Sequence, residues 1–366
     1  MLLFVILVTA CNHDDNGGGG ANIIPTDPSA EPRAFRMGMT PFAPQDNLEV
    51  ERRVWDFLLS NADLVALHFD SFEGLPWGEL GQGRVPENFA ADYRNTAARA
   101  RGRTIYAAIT PLNNARDGVA ETLGGNGFPA DLGPAAFSNP RVVEAFLTYA
   151  RFVADTLQPR YLAVGIEVNL YAQAADPNEF MALVDLYKTV YRDLKQRHPN
   201  LVIFPTFQVE FMHGLDQWAL LNLFMPEMDR IGLSLYPSGA GFTPAQIPGD
   251  WLTTFQAFVD RPLVVAETGY GSRPFDGSNF DAPGSETLQS EYLRWLIDRA
   301  EVLDMDFLVW FFPTDTPNVL PPELMPVLPP AFADVAFFFR MGLLGEDFEP
   351  KPVFAIWEDH LSRPLM

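Results

Sequence analysis

From residue 34 onward, short apolar runs alternate with longer amphipathic stretches. Eight of the runs predict strands: AFRMGMT (34–40), DLVALHF (63–69), TIYAAIT (104–110), YLAVGIEVN (161–169), LVIFPTF (201–207), RIGLSLY (230–236), PLVVAET (262–268) and DFLVWFF (306–312). Most are continuously apolar, the pattern of parallel strands covered on both faces. Helical periodicity fills the gaps. NLEVERRVWDFLLSNA (47–62) sets Val50, Val54, Trp55, Leu58 and Leu59 on one stripe, and Asn139-Pro140 opens RVVEAFLTYARFVADTL with a cap and a first-turn proline. Residues 179–198 and 285–303 are equally periodic. The βαβα order with no composition break predicts one α/β domain over 34–366. Eight such units suit a (β/α)8 TIM barrel, a fold that runs from about 200 to over 400 residues. A doubly wound sheet is disfavoured, because MGMTPFAPQD after the first run is not a Gly-rich phosphate loop.

Composition narrows the partners. The 366 residues carry a formal charge of −22 and no Lys/Arg run, which argues against nucleic acid. The apolar run at residues 2–10 is too short for a membrane helix, which needs roughly 20 residues, and matches the core of a signal peptide. It ends in Val8-Thr9-Ala10-Cys11, which resembles the lipobox of bacterial lipoproteins. That resemblance implies a signal peptide over 1–11, lipidation of Cys11, and an extracytoplasmic protein held at the bacterial cell envelope. Residues 12–33 are rich in Gly, Pro and Asp and read as a flexible tether. With a single cysteine, no intrachain disulfide forms.

In a (β/α)8 barrel the chemistry sits at the carboxyl ends of the strands, so polar residues closing apolar runs are the candidates. The fourth run ends in Gly165-Ile166-Glu167-Val168-Asn169 and the seventh in Ala266-Glu267-Thr268. A carboxylate there costs several kcal/mol to desolvate unless something compensates it. Two of them, on strands four and seven, face each other across the mouth.

These residues resemble those of the clan A glycoside hydrolases, with some likeness to endo-β-1,4-galactanases and mannanase-like members, over nearly all of 34–361. The resemblance implies an acid/base at Glu167 and a nucleophile at Glu267 in VVAETGY (264–270). DRIGLSLYP (229–237) resembles strand six, which implies that Tyr236 contacts the nucleophile, and LVWFF (308–312) resembles strand eight, which implies Trp310 as a sugar-subsite floor. The ending MGLLGEDFEPKPVFAIW (341–357) is similar to that of many members. One departure is that Ile166, not Asn, precedes Glu167; strand alternation puts Asn169 on the same side, within reach of a substrate hydroxyl. A retaining glycosidase needs its two carboxyls roughly 5 to 5.5 Å apart, one attacking and one protonated, and so a carbohydrate substrate with no cofactor or metal.

Further candidates for substrate contact are His68 and Asp70 after strand two, Trp77 as a stacking surface, and Gln208 and Glu210 after strand five, with Glu210 the rival for the acid role. His213 follows them. Asn113, Asn114 and Arg116 read as a solvated loop, and AFFFRMG (336–342) as core. The loops 269–286 and 313–330 lie on the active-site face and should shape the cleft, with Tyr270, Phe275 and Phe280 as stacking candidates. Two other readings compete: a metal-dependent sugar-processing barrel using His68, Asp70, Glu167, Glu210, His213 and Glu267 as hard-metal ligands, and a surface lipoprotein that binds glycans without cleaving them.

Overall fold

The computed structural model describes residues 26–366 except 28, 46, 71–73, 278–279 and 318–335. The signal-like run, Cys11, most of the tether and most of the loop 313–330 lie outside the described residues. Nine parallel strands form one sheet: β1 (Arg36–Met39), β2 (Leu64–Phe69), β3 (Thr104–Ile109), β4 (Tyr161–Val164), β5 (Val202–Phe204), β6 (Thr206–Gln208), β7 (Ile231–Leu235), β8 (Leu263–Thr268) and β11 (Phe307–Trp310). The order β5-β4-β3-β2-β1-β11-β8-β7-β6 begins and ends on two pieces of one chain segment, so the sheet wraps into a barrel. The expected fifth strand is split at Pro205, which has no N–H for the ladder. β5 pairs with β4 and β6 with β7, so the split strand spans the seam. Counting it once gives the eight strands of a (β/α)8 barrel.

The barrel is a packed core. Tyr106 stacks on Phe204 with ring centres 5.9 Å apart and lies 5.1 Å from Phe307, so three strands fill one interior layer. Gly232 on β7 makes room for it, since a Cβ there would sit 2.8 Å from the Phe204 ring.

The outer helices begin where their caps dictate. Asn47 accepts from the Glu49 and Val50 amides to open α1 (Leu48–Asn61), and Asn139 accepts from Arg141 to open α4 (Pro140–Leu157). Asp176 and Pro177 start α6 (Pro177–Arg197) two residues before the periodic stretch. Ser285 caps α10 (Glu286–Val302). The sequence reading did not single out α2 (Trp77–Leu80) or α3 (Glu87–Arg99).

The end of the stretch read as tether is docked rather than free. Arg33 is 2% exposed and pairs with Asp63 at 2.6 Å, while its backbone bonds Pro364 and Met366. Ordered structure therefore starts before residue 34. At the far end Lys351 is buried and joins Asp315 at 2.7 Å, fastening the segment before the C-terminal helix Pro352–Leu361 to the loop after β11. Among the described residues no helix is long and apolar enough to cross a membrane.

Candidate active site

Glu267 lies inside β8, whose six residues are all buried, and is itself 6% exposed. Leu233 pairs with Val265 and Ser234 with Glu267, so Ala266 is an extra residue in the ladder. Such a bulge re-aims the side chain that follows it. Tyr236 Oη donates to Glu267 Oε2 at 3.1 Å, and His68 Nε2 lies 3.8 Å from the same oxygen.

Glu167 is held differently. β4 stops at Val164, and Gly165 turns the chain at φ 89°, where only glycine is free of strain. Glu167 follows at φ 50° and ψ 45°, also left-handed, with its amide donating to Thr206 Oγ1 at 2.8 Å. The chain then enters α5 (Val168–Ala174). The expected strand through residue 169 is thus corrected, and with it the alternation argument for Asn169. Its side chain is fully buried, accepts from Gln208 N at 2.7 Å and donates to Gln208 O and Gln217 Oε1. It ties α5 to β6 and offers a substrate nothing.

One serine stands beside both carboxyls. Ser234 Oγ donates to Glu167 Oε1 at 2.6 Å, and the ladder sets the same residue beside Glu267. Arg116 reaches Glu167 Oε2 at 3.5 Å and forms a two-pronged pair with Asp70, both contacts at 2.8 Å. Burial is the largest influence on both glutamates and raises both. The charge of Asp70 pushes both further up and Arg116 and Ser234 draw both back, with Glu267, which also faces the charge of Glu167, raised the more. Two such neighbours titrate as a pair, which holds a proton above the ordinary carboxylate range.

The remaining candidates divide. Burial lowers His68 to about 4 and keeps it neutral, and its Nδ1 has no hydrogen-bond partner among the described residues. Asp70 is committed to Arg116. Burial lifts Glu210 to about 8; its carboxyl accepts from Tyr236 N at 2.8 Å and Gln208 Nε2 at 2.5 Å, so both its oxygens are occupied. Gln208 also caps α7 (Val209–Gly214) through Phe211 N. Two tryptophans expected at the sugar are elsewhere. Trp77 is fully buried with its indole N–H on Ala120 O at 2.8 Å, and Trp310 is fully buried with its N–H on Met341 O at 2.6 Å. Neither presents a face for stacking. His213 packs on Trp218 and Trp251 and bonds Trp251 O. Tyr270 is buried, with its hydroxyl on Phe242 O. Phe275 and Phe280 pack with Phe337 from the phenylalanine-rich segment, which closes around Tyr236 as a small cluster of its own.

Sequence reasoning missed Ser234 and misjudged Arg116, which is 5% exposed rather than solvated. Ser234 left a faint signal: Gly232, Ser234 and Tyr236 recur with period two in an otherwise apolar run. Arg116 left none, since Asp70 is 46 residues away. Among the described residues, no group of three or more His, Cys, Asp or Glu is placed to hold a metal ion.

No protein-family model matches the chain, and no curated protein sequence does. Solved structures do. The chain is similar to an exo-beta-1,4-mannosidase from Opitutaceae bacterium strain TAV5, with 15% identity and a TM-score of 0.63 over 93% of this chain and 61% of that one. It thus spans about three fifths of the mannosidase's length. It is also similar to a psychrophilic glycoside hydrolase family 10 endo-beta-1,4-xylanase, with 12% identity and a TM-score of 0.56 over 89% and 96% of the two chains. A beta-1,3-glucanosyltransferase of Rhizomucor miehei shares 18% identity at a TM-score of 0.53, over 87% and 96%. At these identities the likeness speaks to architecture alone: the chain has a (β/α)8-barrel fold.

Proposed function

We propose that the protein is a retaining glycoside hydrolase, with Glu267 as nucleophile and Glu167 as acid/base. The observation that carries this reading is the pair of carboxyls at the barrel mouth, Glu267 buried in β8 and Glu167 largely buried just beyond β4, with Ser234 beside both. Burial and mutual repulsion leave one proton shared between them, and double displacement needs one ionised and one protonated carboxyl. Tyr236 orients Glu267 by donating to Oε2. Neutral His68 and the Asp70–Arg116 pair add no net positive charge, so the attacking oxygen keeps its nucleophilicity. Glu267 attacks the anomeric carbon while Glu167 protonates the leaving oxygen; Glu167 then takes a proton from the water that releases the sugar. Glycosidases among the similar folds support the same reading.

The test is to incubate the purified protein with a panel of polysaccharides and to follow the product by NMR. Product should first appear with the anomeric configuration of the substrate, and an inverted product rules out the covalent role of Glu267. We further propose that a lipid on Cys11 holds the protein at the cell envelope. Cys11→Ser should release it from membranes with catalysis unchanged, and a variant that stays fully membrane-bound overturns the anchor.

A further inference from the structure

We propose that the Ser234 hydroxyl is a two-way bridge, turning its one proton toward whichever of Glu167 and Glu267 carries the charge at each stage of turnover. The inference rests on the retaining reading above.

Ser234 is fully buried, and the bulge at Ala266 sets it directly beside Glu267 in the ladder. Its Oγ donates to Glu167 Oε1 at 2.6 Å, and the residue lies directly across the ladder from Glu267, whose carboxyl it draws down. Each carboxyl also has a contact of its own, Arg116 at Glu167 Oε2 and Tyr236 at Glu267 Oε2. What they share is the hydroxyl, and a hydroxyl has one proton to give and lone pairs to receive. It cannot donate to two carboxylates at once. It can donate to one and accept from the other when the other is protonated.

The structure shows the hydroxyl turned to Glu167; in the state from which Glu267 attacks, with the proton on Glu167, the chain of bonds runs from Glu167 O–H to Ser234 Oγ, and from Ser234 O–H to the Glu267 carboxylate. In the first displacement Glu267 bonds the anomeric carbon and loses its charge. The bond to the leaving oxygen breaks, and that oxygen takes the proton of Glu167. Glu167 is now the anion, and the Ser234 hydroxyl rotates to donate to it. In the second displacement water gives a proton to Glu167, its oxygen bonds the anomeric carbon, and the ester to Glu267 breaks. The hydroxyl turns back. Atoms and charge balance, and no outside reagent is needed.

The bridge stabilises the singly protonated pair over both the doubly protonated and the doubly ionised pair. It therefore spreads the two apparent pKa values of the pair. Other titratable and charged groups around the pair are His68, Asp70, Tyr106, Arg116, Glu210 and Tyr236, and substitution at Ser234 leaves them in place.

The experiment is a 13C NMR titration of the full chain labelled at the glutamate carboxyl carbon, with Glu167→Gln and Glu267→Gln to assign the two signals. In the wild type the two carboxyls should titrate in two linked steps. In Ser234→Ala the steps should close toward each other by about one unit or more, the worth of a hydrogen bond to a charged group. Ser234→Thr, which keeps the hydroxyl, should restore the gap. An unchanged gap in folded Ser234→Ala overturns the bridge and leaves the glycosidase reading standing. Independent titration of the two carboxyls in the wild type likewise overturns the bridge alone, whereas inverted product overturns the retaining reading on which it rests. Should Ser234→Ala fail to fold, Ser234→Cys keeps the volume with a weaker donor, and the same narrowing or its absence decides.

Discussion

The two carboxyls of the mouth are held by opposite kinds of backbone. Glu267 sits within a ladder, paired to β7 through Ser234 and followed by Thr268, which pairs with both Leu235 and Trp310. Its one irregularity, the bulge at Ala266, leaves the strand continuous. Glu167 sits beyond the end of its strand, after a glycine at φ 89° and in a left-handed conformation of its own. A non-glycine residue there costs roughly 1–2 kcal/mol, and such strain persists where the surroundings over-determine it. Here the Thr206 hydroxyl on the amide and the Ser234 and Arg116 contacts on the carboxyl do so. One carboxyl is placed by the regular sheet. The other is placed by side chains around an irregular turn.

If that contrast reflects their roles, the largest effect belongs to Glu267→Gln. The amide cannot attack, so kcat should fall on the order of 10^5-fold, as for loss of other catalytic nucleophiles, while sugar binding by calorimetry persists. Retained turnover would break the comparison on its stronger side. Next comes Glu167→Ala, which removes general acid–base help and should cost roughly 10^2- to 10^4-fold on natural glycans. Aryl glycosides with acidic leaving groups should be spared and azide should restore turnover. Should Glu210→Ala show this pattern instead, the acid has been misassigned.

The support on the Glu167 side can be attacked directly. Arg116→Met leaves Asp70 buried without its cation, and should destabilise the fold by about 3–5 kcal/mol in denaturant melts. Adding Asp70→Asn should recover part of that loss; no recovery would show that the arginine acts through packing instead. A smaller effect follows from Glu210. A carboxyl whose folded pKa is raised to about 8 binds more protons folded than unfolded, so its contribution to stability falls as pH rises from about 4.5 through 8. Glu210→Gln should flatten the melting temperature over that window; an unaltered slope would show that the group is ionised throughout. Smallest is Trp77→Phe, which drops the bond to Ala120 O, costing about 1 kcal/mol and leaving KM unchanged. A raised KM would restore Trp77 to the sugar.

The same contrast governs what the sequence disclosed. The eight strands were legible because apolar runs of this length, covered on both faces, have few other interpretations. Glu267 was legible because a bulge does not interrupt such a run. The turn at Gly165 does, yet Ile166 and Val168 are as apolar as the strand before them, so the fourth run looked five residues longer than the ladder and carried Asn169 with it. Trp77 and Trp310 misled for another reason. A tryptophan near a strand end satisfies its N–H as readily on a backbone carbonyl as it stacks on a ligand, and only packing shows which. Tyr236 and Glu267, neighbours across two strands, could be paired through the resemblance. The Asp70–Arg116–Glu167 chain links three separate loops and leaves no local pattern.

The docking of Arg33 against the last residues of the chain has a geometric corollary. Arg33, Asp63, Pro364 and Met366 gather at the edge of the barrel where β1 and β2 begin, whereas Glu167 and Glu267 sit at the end where the strands finish. Asp27 and Arg33, among the first described residues, therefore lie at the end of the barrel away from the carboxyls. Under the lipid anchor proposed above, the point of attachment and the carboxyls would lie at opposite ends of the barrel. Access to the mouth would then be independent of the length of the tether.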